Sequence, residues 1–142
     1  MKKAITKLTV AALLFGLGYT VSVSTTEPAT SESTVATKSY GKVEHPATDF
    51  DNQIASGIVI LDFFATWCPP CQRFSSVFTN AAEKHPNILF IKIDVEKYQD
   101  IANRFGIRSM PTIIALKDGK KIKTKTGFMN KAQFDTWINS LA

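Results

Sequence analysis

The sequence predicts an α/β fold in which a central mixed β-sheet is flanked by helices on both faces. Three observations predict it. Ile58–Phe64 and Ile88–Val95 are short, almost wholly apolar runs, the pattern of strands buried on both faces. Between and after them lie longer stretches whose apolar residues recur every three or four positions, as on one face of a helix. Asp118-Gly119 separates two further strand candidates, Thr112–Leu116 and Lys121–Phe128. Asp-Gly between such runs is a strong short-range hairpin signal, so an antiparallel pair joins an otherwise alternating β-α chain.

Each element follows in order. Residues 1–23 open with Lys2, Lys3 and Lys7 and continue with a mostly apolar run from Leu8 to Val23 that ends among small residues. This is the layout of a secretory signal peptide. The run is shorter than the roughly 20 residues a spanning helix needs, so a cleaved signal is favoured over an uncleaved N-terminal membrane anchor. Residues 24–39, rich in Ser and Thr with no aromatic, read as a disordered linker. The folded domain is expected at residues 40–142. Thr48 is placed to cap a short helix over Asp49–Ala55. After the strand Ile58–Phe64, the stretch Cys71–His85 carries a stripe of Phe74, Val77, Phe78, Ala81 and Ala82. Gln99–Phe105 is helical and stops at Gly106, a C-terminal cap. Asn130 caps a last helix with Phe134, Trp137, Ile138 and Leu141 on one face. The predicted order is β-α-β-α-β-α-β-β-α.

Composition narrows the function. From Tyr40 onward there are thirteen Lys and Arg against ten Asp and Glu. That mild balance lacks the concentrated basic face and stacking aromatics of a nucleic-acid binder, and no nucleic acid is expected as partner. Lys121, Lys123 and Lys125 alternate with Ile122, Thr124 and Thr126 and are expected to share one face of a strand. Lysines on an edge strand discourage strand-on-strand aggregation. Docking to acidic wall polymers or lipid headgroups is the alternative for this run.

The chain has two cysteines, Cys68 and Cys71. A disulfide scaffold needs more, spread along the chain, and a bridge closing so small a loop constrains the unfolded chain little. A structural zinc site needs four ligands, whereas no second CxxC exists and His45 and His85 are isolated. No metal and no cofactor are expected. The pair stands where a buried strand gives way to a helix. Unpaired N–H groups and the partial positive charge at a helix start favour a thiolate over a thiol. The thiolate is the attacking species in disulfide exchange. Proline is tolerated in a first helical turn, so Pro69 and Pro70 do not disturb it. Asp62, in the middle of an apolar strand, is a carboxylate whose burial without a partner is costly. Burial should raise its pKa and fit it to accept a proton.

The run Asp62-Phe-Phe-Ala-Thr-Trp-Cys-Pro-Pro-Cys71 resembles the active-site segment of the thioredoxin family, and Phe105-Gly-Ile-Arg-Ser-Met-Pro-Thr112 resembles its second signature. Asp118-Gly119 and Gly127 resemble the hairpin and glycine that follow. The resemblance implies the thioredoxin fold and thiol–disulfide oxidoreductase activity. It makes Cys68 the nucleophile, Cys71 the resolving cysteine, Asp62 the buried proton acceptor and Lys92 the partner of Asp62. It implies a cis Pro111, with the Met110 backbone open to an extended substrate segment and Trp67, Pro69, Pro70 and Gly127 lining the same groove. Three positions depart from the commonest family pattern. Pro69 replaces the glycine usual in cytosolic members, Phe64 stands where many have Trp, and Ser76 stands where many have a kinking proline.

The expected protein is therefore an extracytoplasmic disulfide reductase, secreted or anchored to the outer face of the cell membrane, acting as a monomer. Its partners would be disulfide-containing exported proteins and a membrane electron donor that re-reduces it. The rival readings are a disulfide oxidase or isomerase, and a non-catalytic binding module. The absence of an intervening His between the cysteines leans toward the reductant.

Overall fold

The computed structural model describes residues 38–141, so the expected signal or anchor at residues 1–23 and nearly all of the expected linker lie outside the described residues. The elements are β1 (Val43–Glu44), α1 (Phe50–Ile54), β2 (Ile58–Phe64), α2 (Pro69–Lys84), β3 (Ile88–Asp94), α3 (Gln99–Phe105), β4 (Thr112–Lys117), β5 (Lys120–Thr126) and α4 (Lys131–Asn139). The order matches the one expected. The strands form one sheet in the sequence β1-β3-β2-β4-β5. β1, β3 and β2 run parallel, β4 is antiparallel to β2, and β5 is antiparallel to β4.

Alternation along β2 decides what each face packs against. Val59, Leu61 and Phe63 point into a core with Phe50 and Ile54 of α1 and Ile101 and Ala102 of α3. Ile60 points the other way, into a core with Phe74 and Phe78 of α2 and Phe134, Trp137 and Ile138 of α4. Helices thus cover both faces. The second core is aromatic: Phe74 lies 5.0 Å from Phe134 and Phe78 lies 5.2 Å from Phe90, both edge to face, the arrangement that ring quadrupoles favour.

The ends of the elements follow local chemistry. Asn130 and Gln133 form a reciprocal capping box at the start of α4, satisfying two otherwise unpaired donors. Gly106 ends α3 in the left-handed region, φ 68° and ψ 37°, where a side chain would be strained. Asp118 and Gly119 both have positive φ, as the hairpin turn that matches strand twist requires.

Several details differ from expectation. Asp49, not Thr48, caps α1: its carboxylate accepts the Asn52 N–H at 3.1 Å. A carboxylate at a helix start gains from the dipole as well as the hydrogen bond. α2 starts at Pro69 and so contains Cys71 in its first turn, with Cys68 as its cap. It runs unbroken through Ser76, in keeping with the lack of proline there. On the edge strand β5 Lys123 and Lys125 share one face, as expected, but Lys121 does not. A bulge at Ala115/Leu116 sets Lys123 opposite Ala115 but Lys121 opposite Leu116, and those two residues belong to opposite cores. One extra residue in a strand flips the side-chain alternation beyond it. Lys123 consequently sits over the Trp137 ring at 5.6 Å and donates to Ser140 Oγ of the segment after α4.

Candidate active site

The cysteines owe their position to the abrupt passage from β2 to α2. The segment turns through Cys68 N–H donating to Ala65 C=O at 3.2 Å, and Gln72 Nε2 pins it from the helix side by donating to Thr66 C=O at 2.8 Å. Cys68 takes the cap position with an extended backbone, φ −91° and ψ 106°. Pro69 and Pro70 fill the first helical positions, where a missing N–H costs nothing. Cys71 N–H donates to Cys68 Sγ at 3.3 Å. Cys68 and Cys71 are joined by a disulfide, with Cα atoms 5.3 Å apart. Both residues are nearly inaccessible, at 4% and 1% exposure. Cys68 Sγ thus lies at the N-terminal end of a 16-residue helix with the Cys71 amide directed at it, and unpaired donors at a helix start favour negative charge.

The residues expected to line a groove come together around this pair. The Met110–Pro111 peptide is cis, and the Met110 side chain packs against Ala65, Cys68 and Cys71. No hydrogen bond among the described residues takes up the Met110 amide or carbonyl, which leaves both free to pair with an added strand. Gly127 N–H donates to Pro111 C=O at 2.8 Å, tying the end of β5 to the cis-proline turn. Trp67 is 63% exposed, which excludes core packing as its role. Pro69 is exposed and Pro70 half-buried beside it.

Three contributors escaped the reading of the sequence. Glu96 accepts a hydrogen bond from Trp67 Nε1 at 3.0 Å and so orients the exposed indole. Arg73, on α2, lies 5.8 Å from the centre of the exposed Phe128 ring, just beyond Gly127. Ser75, one helical turn beyond Cys71, receives Lys92. Glu96 and Arg73 read as ordinary surface charges, and Ser75 as a neutral helix position, until the fold brings their partners close.

Asp62 lies on the face of β2 that α2 covers. Its cross-strand neighbours are Lys92 on β3 and Ile113 on β4, and Ile113 belongs to the α2–α4 core. Asp62 is fully buried, and neither carboxylate oxygen has a hydrogen-bond partner among the described residues. Desolvation pushes its pKa up to about 7, against the opposing pull of the Lys92 ammonium. Lys92 Nζ stands 3.9 Å from Asp62 Oδ2, beyond hydrogen-bonding range. The ammonium instead donates to Ser75 Oγ at 2.7 Å and sits 4.4 Å from the centre of the Phe64 ring. Lys92 is thus near Asp62 but bonded elsewhere. Among the described residues no three His, Cys, Asp or Glu side chains converge as a metal site would require.

Residues 41–140 match the family model for thioredoxin. Among curated relatives, a thioredoxin of Bacillus subtilis is 35% identical over 96 residues, covering 66% of this chain and 92% of its own length. A thioredoxin of Chlamydia muridarum is 39% identical over 83 residues, covering 58% of this chain and 81% of its own. Among solved structures, a mutant thioredoxin from Halobacterium salinarum aligns with a TM-score of 0.66 at 29% identity, covering 73% of this chain and 94% of the other. A thioredoxin of Plasmodium falciparum aligns at 0.65 and 31% identity, covering 71% and 99%.

Proposed function

Since the chain belongs to the thioredoxin family and is a thiol–disulfide oxidoreductase, we propose that it works outside the cytoplasm and reduces disulfides of exported proteins. The observation that carries the exchange chemistry is the Cys68–Cys71 pair at the head of α2, beside the cis Met110–Pro111 turn. The lysines and apolar run of the first 23 residues support export. A proline rather than a charged or titratable residue at position 69, and the absence of His between the cysteines, support the reducing direction.

The reaction proceeds in two displacements. The Cys68 thiolate attacks one sulfur of a substrate disulfide. A Cys68–substrate bond forms, the substrate S–S bond breaks, and the departing substrate thiolate takes a proton from solvent. Cys71 then loses its thiol proton to the Asp62 carboxylate, directly or through one intervening water. The Cys71 thiolate attacks Cys68 Sγ, closing the Cys68–Cys71 disulfide and breaking the Cys68–substrate bond. The second substrate sulfur leaves as a thiolate and takes up the proton held by Asp62, which returns to its carboxylate form. Two electrons pass from the cysteine pair to the substrate. A membrane donor of two electrons and two protons restores the dithiol. The exposed Trp67 and the free Met110 backbone hold the substrate segment in line with Cys68 during the first step.

The test is the redox state of the pair in intact cells, read by trapping free thiols in acid and separating cytoplasmic from exported fractions. A mainly reduced pair in the exported fraction supports the reading, and it should accompany a reduction potential close to the roughly −270 mV of thioredoxin itself. A mainly oxidised pair with a potential near about −120 mV would make the protein an oxidant. A full-length product confined to the cytoplasm would remove the export.

A further inference from the structure

Ser75 does something that neither its position nor its chemistry announces. Its hydroxyl accepts from Lys92 Nζ at 2.7 Å, while the Asp62 carboxylate, 3.9 Å from the same ammonium, has no hydrogen-bond partner among the described residues. A buried carboxylate facing an ammonium would ordinarily capture it in a charge-assisted hydrogen bond. Here α2 places a competing acceptor 2.7 Å from the Lys92 ammonium, and the Phe64 ring centre lies 4.4 Å from it. We propose that Ser75 is a positioning residue, which draws the Lys92 ammonium off Asp62 and thereby sets the proton affinity of that carboxyl. The inference rests on Asp62 serving Cys71 as proton acceptor, and the experiment below separates the two.

The surroundings of Asp62 leave few other groups to act. On β3 the charged residues of that face are Lys92 and Asp94, and the Asp94 carboxylate is engaged with the Glu96 N–H at 3.0 Å. β4 presents Ile113 and α4 presents Phe134 and Trp137 to the core on this face, α2 brings Ser75 to Lys92, and Cys71 lies in the adjoining cluster with Ala65 and Cys68. Among the described residues Lys92 is therefore the one cation in position to favour the charged form, and its distance is the variable that matters. Losing the Ser75 hydroxyl leaves the ammonium without its hydrogen-bond acceptor, and Asp62 is the unpaired acceptor beside it. Closing the gap from 3.9 Å to a hydrogen-bonded distance of about 2.8 Å at an effective dielectric of about 20 lowers the carboxyl pKa by about one unit, a tenfold loss of proton affinity. A proton acceptor tuned that far down would take the Cys71 proton less readily near neutral pH.

The test follows the Asp62 side-chain carboxyl by carbon-13 NMR through a pH titration of the full oxidised chain. Ser75→Ala should lower the midpoint by about one unit, and Ser75→Thr, which keeps a hydroxyl, should restore the parental midpoint. Lys92→Met should raise the midpoint, and Ser75→Ala combined with Lys92→Met should titrate like Lys92→Met alone. An unmoved or raised midpoint in Ser75→Ala would overturn the proposal, as would a further fall in the double variant, since the effect would then not pass through Lys92. The rate at which Cys71 resolves a mixed disulfide, measured against pH in the same variants, tests the underlying reading. If the Asp62 midpoint falls while the pH profile stays in place, Ser75 positions Lys92 as proposed but Asp62 is not the proton acceptor.

Discussion

Replacing Asp62 by Asn should stabilise the oxidised protein strongly above neutral pH and not at all in acid. Asp62 is fully buried with both oxygens unpaired, and burial holds its pKa at about 7 against an ordinary 3.8. Well below pH 3.8 the carboxyl is protonated in both folded and unfolded chains, and the amide and the acid are near equals. As pH rises, the unfolded chain releases the proton first, while the folded chain must keep it or carry a buried charge. Stability is therefore lost between the unfolded and the folded pKa, with a slope of about 1.4 kcal/mol per pH unit. Across the interval from 3.8 to about 7 the loss amounts to about 4 kcal/mol, and Asp62→Asn should recover it. Removing the carboxylate leaves Lys92 without its nearby anion, but the ammonium retains Ser75 Oγ and the Phe64 ring, so little is given back. Urea unfolding of both proteins at pH 3.5, 5.5 and 8 reads the difference directly. The gap should be near zero, then intermediate, then largest. A gap that does not change with pH, or an Asn variant that is the weaker at pH 8, would refute the burial argument. The same variant should resolve mixed disulfides at least about a hundredfold more slowly near pH 7, the usual size of a lost general base. An Asn variant with undiminished resolution would leave Asp62 as a buried acid with no part in the chemistry.

The cysteines should separate cleanly in trapping experiments. Cys68→Ser should abolish turnover, whereas Cys71→Ser should accumulate mixed disulfides with substrate proteins on non-reducing gels, because attack survives and resolution does not; the opposite pattern would exchange their roles. Glu96→Gln weakens the hydrogen bond to the Trp67 indole and should lower kcat/KM for protein disulfides about two- to fivefold, the equivalent of roughly 0.5–1 kcal/mol. Trp67 fluorescence anisotropy should fall in parallel, and an unchanged anisotropy would mean that the carboxylate does not hold the ring.

Much of the fold could be read from the chain because local and long-range requirements agree. Ile58–Phe64 has to be buried on both faces, and it is the middle strand of the sheet. The stripe of Phe74, Val77, Phe78, Ala81 and Ala82 could face only one core; Phe74, Phe78, Ala81 and Ala82 lie in it and the partly buried Val77 packs against it. Where two local signals competed, reading failed by a residue or two. Thr48 and Asp49 are both capping residues, and the choice between them depends on which backbone turns first. The face of Lys121 departs from simple alternation for a different reason. A bulge is a property of two paired strands, and nothing within Lys120–Thr126 marks it.

The site divides along the same line. Cys68, Pro69, Pro70 and Cys71 act through the chain immediately around them, so spacing and helix position already imply their chemistry. Asp62 could be singled out because a carboxylate inside an apolar strand conflicts with its neighbours, and burial at 0% exposure turns that conflict into a high proton affinity. Lys92 shows where such reasoning stops. The β2–β3 register places it directly opposite Asp62, and proximity alone suggests an ion pair. A lysine has a long, rotatable stem, and its ammonium goes to whichever acceptors lie within its reach. The deciding acceptor is on α2, seventeen residues away in sequence, and it is a serine that carries no charge to attract notice. The helix that carries the cysteines thus also holds the group that governs how strongly the acid beneath them binds its proton.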